Sequence, residues 1–140
     1  MQMLRDHDSS AIVAVSDMDR ARDFYSKVLG LELASGGGDG ATTEPLVYKT
    51  GATRLTVYPS QEAGTNRANA VCWGVGQDLD AIVADLASKG VKFEHYPGIG
   101  RLDGDVHVID GEGPNGADAR LVWFKDSDGN ILHLNNLPLT

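Results

Sequence analysis

Two stretches of this chain repeat one order of hydrophobic patterns. Ala11-Ile12-Val13-Ala14-Val15 is a short β-branched run suited to a strand, and it stops at Ser16, whose hydroxyl is placed to cap a helix, with Asp19 at capping-box spacing. Met18, Ala21, Phe24, Tyr25, Val28 and Leu29 then recur at helical spacing, and Gly30 stands where a left-handed residue ends a helix. This predicts a helix of about three turns. Strands are expected at Leu31 to Ala34, Pro45 to Lys49 and Thr53 to Tyr58, with a flexible glycine-rich hairpin at Gly36-Gly37-Gly38-Asp39-Gly40 between the first two. After the polar stretch Pro59 to Asn69 the order begins again. Ala70 to Val75 is a strand, Asp78 or Asp80 opens a helix striped by Ala81, Ile82, Leu86 and Ala87, and Lys89-Gly90 closes it. Val91-Lys92-Phe93, Ala119 to Lys125 and Ile131 to Asn135 are the remaining strands, the last two joined by the turn Asp126-Ser127-Asp128-Gly129-Asn130.

The chain is therefore expected to be α+β, an internal duplication of a βαβββ unit whose half-sheets curve around a cleft with the helices outside. We expect a single domain over 1–140, with module one at about 10–58, a linker at about 59–69 and module two at about 70–136. Alternation assigns faces, because successive strand side chains point to opposite sides. Leu132 and Leu134 should lie under the helices, leaving Ile131, His133 and Asn135 on the other face. In the duplicate run Leu55 and Val57 go under the helices, and Arg54, Thr56 and Tyr58 face away. Thr56 is then the counterpart of His133, and Tyr58 that of Asn135. The first strands align Val13 with Trp73, so Trp73 belongs to the core. They place Ser10, Ile12, Ala14, Ala70, Cys72 and Gly74 on the second face, where mostly small side chains leave volume for a ligand.

Composition narrows the partners. Twelve Lys and Arg against twenty Asp and Glu give a net charge of -8, the wrong sign for neutralising phosphates, so nucleic acid and anionic membrane are not expected. Acidic balance favours solubility and would attract cationic ligands. One cysteine, Cys72, suits a reducing compartment and is expected as a small buried hydrophobe; with no apolar leader or membrane span, a cytoplasmic location follows.

The run Val15-Ser16-Asp17-Met18-Asp19-Arg20-Ala21-Arg22-Asp23-Phe24-Tyr25, then Val28-Leu29-Gly30-Leu31, and the closing Trp123-Phe124-Lys125-Asp126-Ser127-Asp128-Gly129-Asn130 resemble the vicinal oxygen chelate superfamily. That family includes glyoxalase I, extradiol dioxygenases, fosfomycin-resistance enzymes and bleomycin-resistance proteins, and its paired βαβββ modules agree with the duplication. The resemblance also implies a divalent-metal site, with histidine near the start of each module's first strand and Glu or His in its last strand. Those positions fall here on Ser10, Thr56, Ala70 and His133. Only His133 is a good ligand, and a held divalent ion needs three or more protein donors, so neither metal nor other cofactor is expected.

The function expected is binding of a small organic molecule, a drug or metabolite, in the cleft, similar to the bleomycin-resistance branch. Its expected contacts are Thr56, Tyr58, His107, Trp123, His133 and Asn135, with Tyr48 a weaker aromatic candidate. His107 lies in Pro97 to Asp118, a connection long enough to act as a lid, whose centre Asp105 to Asp110 alternates like a short strand. Glu94-His95-Tyr96 rank below it. The alternative is a glyoxalase-like lyase, isomerase or dioxygenase, either metal-dependent or using His133 as general acid or base with help from His107 or Tyr58. A homodimer is expected, as is frequent in the family.

Overall fold

The computed structural model describes residues 2–37 and 44–137, so the middle of the expected glycine-rich hairpin, Gly38 to Gly40, lies outside the described residues. The chain divides into two compact units, Met1–Thr65 and Asn66–Thr140.

In the first unit β1 (Ala11–Val15) leads into helix α1 (Met18–Asp23), a π-turn (Phe24–Val28), and strands β2 (Glu32–Ser35), β3 (Leu46–Thr50) and β4 (Thr53–Pro59). The sheet order is β1-β4-β3-β2, with β1 and β4 parallel and the other pairs antiparallel. One face is core, where Val13, Val15, Leu46, Tyr48, Leu55 and Val57 are buried together with Ala21 and Tyr25 from the helical segment. On the other face Ile12 pairs with Thr56 and Ala14 with Tyr58. The helix differs from expectation at both ends. Its cap is Asp17, whose carboxylate accepts the Arg20 N–H at 3.0 Å, and its last turn widens so that Leu29 N–H meets Phe24 O at 2.9 Å before Gly30 turns left-handed at φ 70°.

Tyr48 corrects the reading that made it a ligand contact. Its register partner is Leu55, so it lies on the core face, fully buried, with its hydroxyl 2.9 Å from Ser26 Oγ and its ring 6.0 Å from that of Tyr25. Burial is the main reason its phenol pKa is raised.

The second unit repeats the plan with an insertion. Strand β5 (Asn69–Gly74) leads into α2 (Leu79–Ser88), then β6 (Phe93–Glu94), β7 (Arg101–Asp103), β8 (Val106–Ile109), β9 (Ala119–Lys125) and β10 (Ile131–Asn135). The sheet order is β5-β10-β9-β8-β7, and β6 also pairs with β9. Without the β7–β8 hairpin, β5, β10, β9 and β6 correspond in turn to β1, β4, β3 and β2. The duplication is therefore kept in topology and in register. Ile12 opposes Thr56 as Cys72 opposes His133, and Ala14 opposes Tyr58 as Gly74 opposes Asn135. Val71, Val122, Phe124, Leu132 and Leu134 are buried on the core face, each worth about 1.5–3 kcal/mol when fully withdrawn from water. Trp73 opposes Leu134 and so shares that face. Leu79 and Leu86 of α2 are buried, and Arg120 of β9 reaches Asp80 of α2 at 3.1 Å.

The stretch from Pro97 to Asp118 carries a β-hairpin, β7–β8, at its centre. Gly104-Asp105 joins β7 to β8 as a two-residue hairpin turn, with Asp103 opposite Val106 and Gly104 at φ 62°. The hairpin extends the sheet through the pairing of His107 with Leu121.

Candidate functional site

Strand β10 lies between β5 and β9, so both its neighbours fix the side chains it presents. His133 opposes Cys72 on one side and Trp123 on the other, which puts all three on the face opposite the core. The His133 and Trp123 rings stack with centroids 4.6 Å apart and planes 23° apart. Trp123 meets His107 edge-on at 5.2 Å and Tyr96 edge-on at 5.4 Å, while Tyr96 and His107 lie nearly parallel at 6.5 Å. Along β5, Ala70, Cys72 and Gly74 form a strip of small residues beside His133 and Asn135. Cys72 is exposed there, not buried as expected, because β5 is an edge strand and Cys72 points to this face. Beyond Tyr96 and His107 a concavity of about 410 Å³ opens between the Pro97–Gly100 turn and Leu102.

The imidazoles are held in defined states. The Tyr96 N–H donates to His107 Nε2 at 3.2 Å, so Nε2 is the acceptor nitrogen and Nδ1 carries the proton that it donates to Ile99 O at 2.8 Å. His133 follows the same pattern, with Nδ1 3.0 Å from Val122 O and Nε2 3.2 Å from the Asn135 side-chain nitrogen. Burial lowers the His133 pKa from its ordinary value, opposed in smaller part by the hydrogen bond to Val122, so the ring is neutral at pH 7. Burial also raises the Cys72 thiol pKa, and Asn135 lowers it by a smaller amount. His95, at the rim, pairs with Asp105 at 2.8 Å.

Of the residues singled out in the sequence, His107, Trp123, His133 and Asn135 come together on this face. Thr56 and Tyr58 lie half-buried on the non-core face of the first unit, beside Ile12 and Ala14. Tyr96 joins the cluster through its ring. Its neighbour Glu94 opposes Trp123 in the ladder and pairs with Lys125 at 3.1 Å.

The residues at the four positions where the resemblance implies a metal do not fit a divalent ion. Ala70 has no donor, Ser10 and Thr56 offer neutral hydroxyls, and both His133 nitrogens are already engaged. His107 is engaged in the same way. The face offers the exposed Cys72 thiol at the edge of a packed aromatic cluster, with neither histidine lone pair left over.

Comparison with known proteins gives a consistent picture of the fold. A family model described as Glyoxalase/Bleomycin resistance protein/Dioxygenase superfamily matches residues 9–134. A 2-epi-5-epi-valiolone epimerase from Actinomyces sp. is 30% identical over 142 residues, covering 89% of this chain and 75% of that protein. Among solved structures, the fosfomycin resistance protein FosX of Listeria monocytogenes superposes with TM-score 0.68 at 14% identity, over 95% of this chain and 92% of that one. An antibiotic binding protein from Streptomyces sp. does so with TM-score 0.62 at 23% identity, over 96% and 98%. No helix among the described residues is long and apolar enough to cross a membrane.

Proposed function

This chain belongs to the Glyoxalase/Bleomycin resistance protein/Dioxygenase superfamily, and from that premise we propose that it binds a small planar organic molecule on the aromatic face of its second unit, without a metal, and releases it unchanged. One observation supports this above all: Tyr96, His107, Trp123 and His133 form a continuous aromatic layer in which both histidines have spent their lone pairs on protein donors. Such a layer is packed ring against ring and has no free base. Trp123 and His133 are only 7% and 6% exposed, so the ligand meets them along an edge and takes most of its contact from the open ends of the layer. Those ends are the Ala70, Cys72 and Gly74 strip and the concavity of about 410 Å³, which lies within the range of ligand pockets. Asn135, its two amide hydrogens already given to His133 and Cys72, is proposed as a contact through the remaining lone pair of its side-chain oxygen. Thr56 and Tyr58, the register counterparts of His133 and Asn135, are proposed as contacts on the first unit's open face. The antibiotic-binding relative favours a drug or metabolite as ligand, and the net charge of -8 favours a cationic one. A homodimer and a cytoplasmic location belong to the same proposal, and the exposed single thiol suits the latter.

The test is thermal denaturation of chelator-treated, desalted protein against a panel of planar cationic and neutral aromatics, with a divalent ion in a separate arm. A true ligand at 100 times its Kd adds about 2.7 kcal/mol, a rise in Tm of several degrees. A shift with a divalent ion and with none of the panel would sink the proposal. The epimerase relative favours a second reading, an enzyme using His133 as general acid or base. It requires turnover of a candidate such as 2-epi-5-epi-valiolone, followed by NMR, and loss of that turnover in His133→Ala.

A further inference from the structure

The Asn135 side chain has its orientation fixed from outside. The Leu137 backbone N–H can only donate, and it meets Asn135 Oδ1 at 2.9 Å, so the oxygen faces Leu137 and the amino group faces the other way. That amino group lies 3.2 Å from His133 Nε2 and 3.4 Å from Cys72 Sγ, one hydrogen for each. An amide N–H donates, so Nε2 must accept with its lone pair, and the ring proton must sit on Nδ1, where Val122 O receives it at 3.0 Å. The bonds run in one direction, from the end of β10 through Asn135 and the imidazole to the backbone of β9. Turning the ring over offers no alternative, because a flip would put Cδ2 and Cε1 where Nδ1 and Nε2 now stand and break both bonds. We propose that Asn135 is the positioning residue that silences His133, occupying the Nε2 lone pair and so removing the imidazole from both metal ligation and proton transfer. The inference rests on the binding function proposed above and explains why a histidine at a position of metal ligation in relatives leaves this face a binding surface. Trp123, stacked on the ring, closes its flat side.

The imidazole nitrogens of the ligand-free, 15N-labelled protein report this directly. In the wild type His133 Nδ1 should be protonated, and Nε2 should be bare and scalar-coupled across the hydrogen bond to the Asn135 amide nitrogen. Asn135→Asp keeps the size of the side chain and the acceptor for Leu137 but removes the donor. Nε2 should then gain one proton at pH 7 and donate it to the new carboxylate, a change that a merely space-filling residue would not produce. A protonated Nε2 in the wild type, or a bare Nε2 in folded Asn135→Asp, overturns the inference; should the variant not fold, the wild-type coupling decides it. Because no ligand is present, a negative ligand panel would refute the binding function and leave this result standing, and the converse also holds.

Discussion

The tight turn between β9 and β10 sets the register that brings His133 opposite Trp123, and one carboxylate holds it. Asp126 Oδ1 accepts the Asp128 and Asn130 backbone N–H groups, both at 2.9 Å, and Oδ2 accepts from the Asn130 side-chain amide at 2.8 Å. Asp126 and Asn130 are themselves buried, at 7% and 5% exposure. Asp126→Ala therefore takes a charged acceptor from two buried donors, the Asn130 backbone N–H and its side-chain amide, as well as from the Asp128 N–H. A hydrogen bond to a charged acceptor is worth about 1.5–3 kcal/mol, so two lost bonds predict a destabilisation of about 3–6 kcal/mol. Asp126→Asn keeps the Oδ1 acceptor and sets two amino groups face to face at the other oxygen until Asn130 turns over. Its expected cost is about 1–2 kcal/mol. Urea denaturation followed by tryptophan fluorescence is suited to the measurement, because both tryptophans, Trp73 and Trp123, lie in the second unit. A loss below about 1 kcal/mol in Asp126→Ala would refute the assignment of the turn's stability to this carboxylate. Equal losses in the two variants would refute the division between them.

Two further outcomes follow from the same unit. Because burial lowers the folded-state pKa of His133 below its ordinary 6.5, the unfolded chain takes up a proton more readily as pH drops, so this contribution to stability is whole above about pH 6.5, falls between there and the lower folded value, and is flat below that; denaturation midpoints at a series of pH values should show this slope, and its survival in His133→Phe would count against the imidazole as its source. Gly100 sits at φ 57°, where an added Cβ would run into the Val108 carbonyl, so Gly100→Ala should cost more than about 2 kcal/mol by thermal denaturation and loosen the Ile99 carbonyl that holds His107, whereas a neutral result would show that the hairpin can shift aside.

Much of this arrangement was legible in the alternation of side chains, and the exceptions share a cause. The split of Leu132 and Leu134 from His133 and Asn135 needs only a period of two, and so does the equivalence of the Ile12–Thr56 pair with the Cys72–His133 pair. Tyr48 escaped because a tyrosine suits either face. Leu55 opposite and the Ser26 hydroxyl, distant in sequence, decided its place. The β7–β8 hairpin did leave a signal, the Gly104-Asp105 step between two short runs, which outweighs the length of the glycine-rich stretch as evidence of a loop. Alternation puts Cys72 on the correct face, and only its exposure escapes the sequence, because that depends on β5 being an edge strand, a property of sheet order.

The chemical state of the two histidines lay beyond any pattern in the chain. His107 and His133 are each pinned by a backbone carbonyl on one nitrogen and an N–H donor on the other, and of those four partners only the Asn135 amide is a side chain. A backbone group has no identity in the sequence, so a histidine with a free lone pair and one without are written alike. The spacing of His133 within β10 could place an imidazole on the face opposite the core and could not say whether its lone pair was free. In the arrangement proposed above that lone pair is taken by Asn135, two residues further along β10 and on the same face, so the His-x-Asn step is the feature to weigh when a strand of this kind carries a solitary histidine.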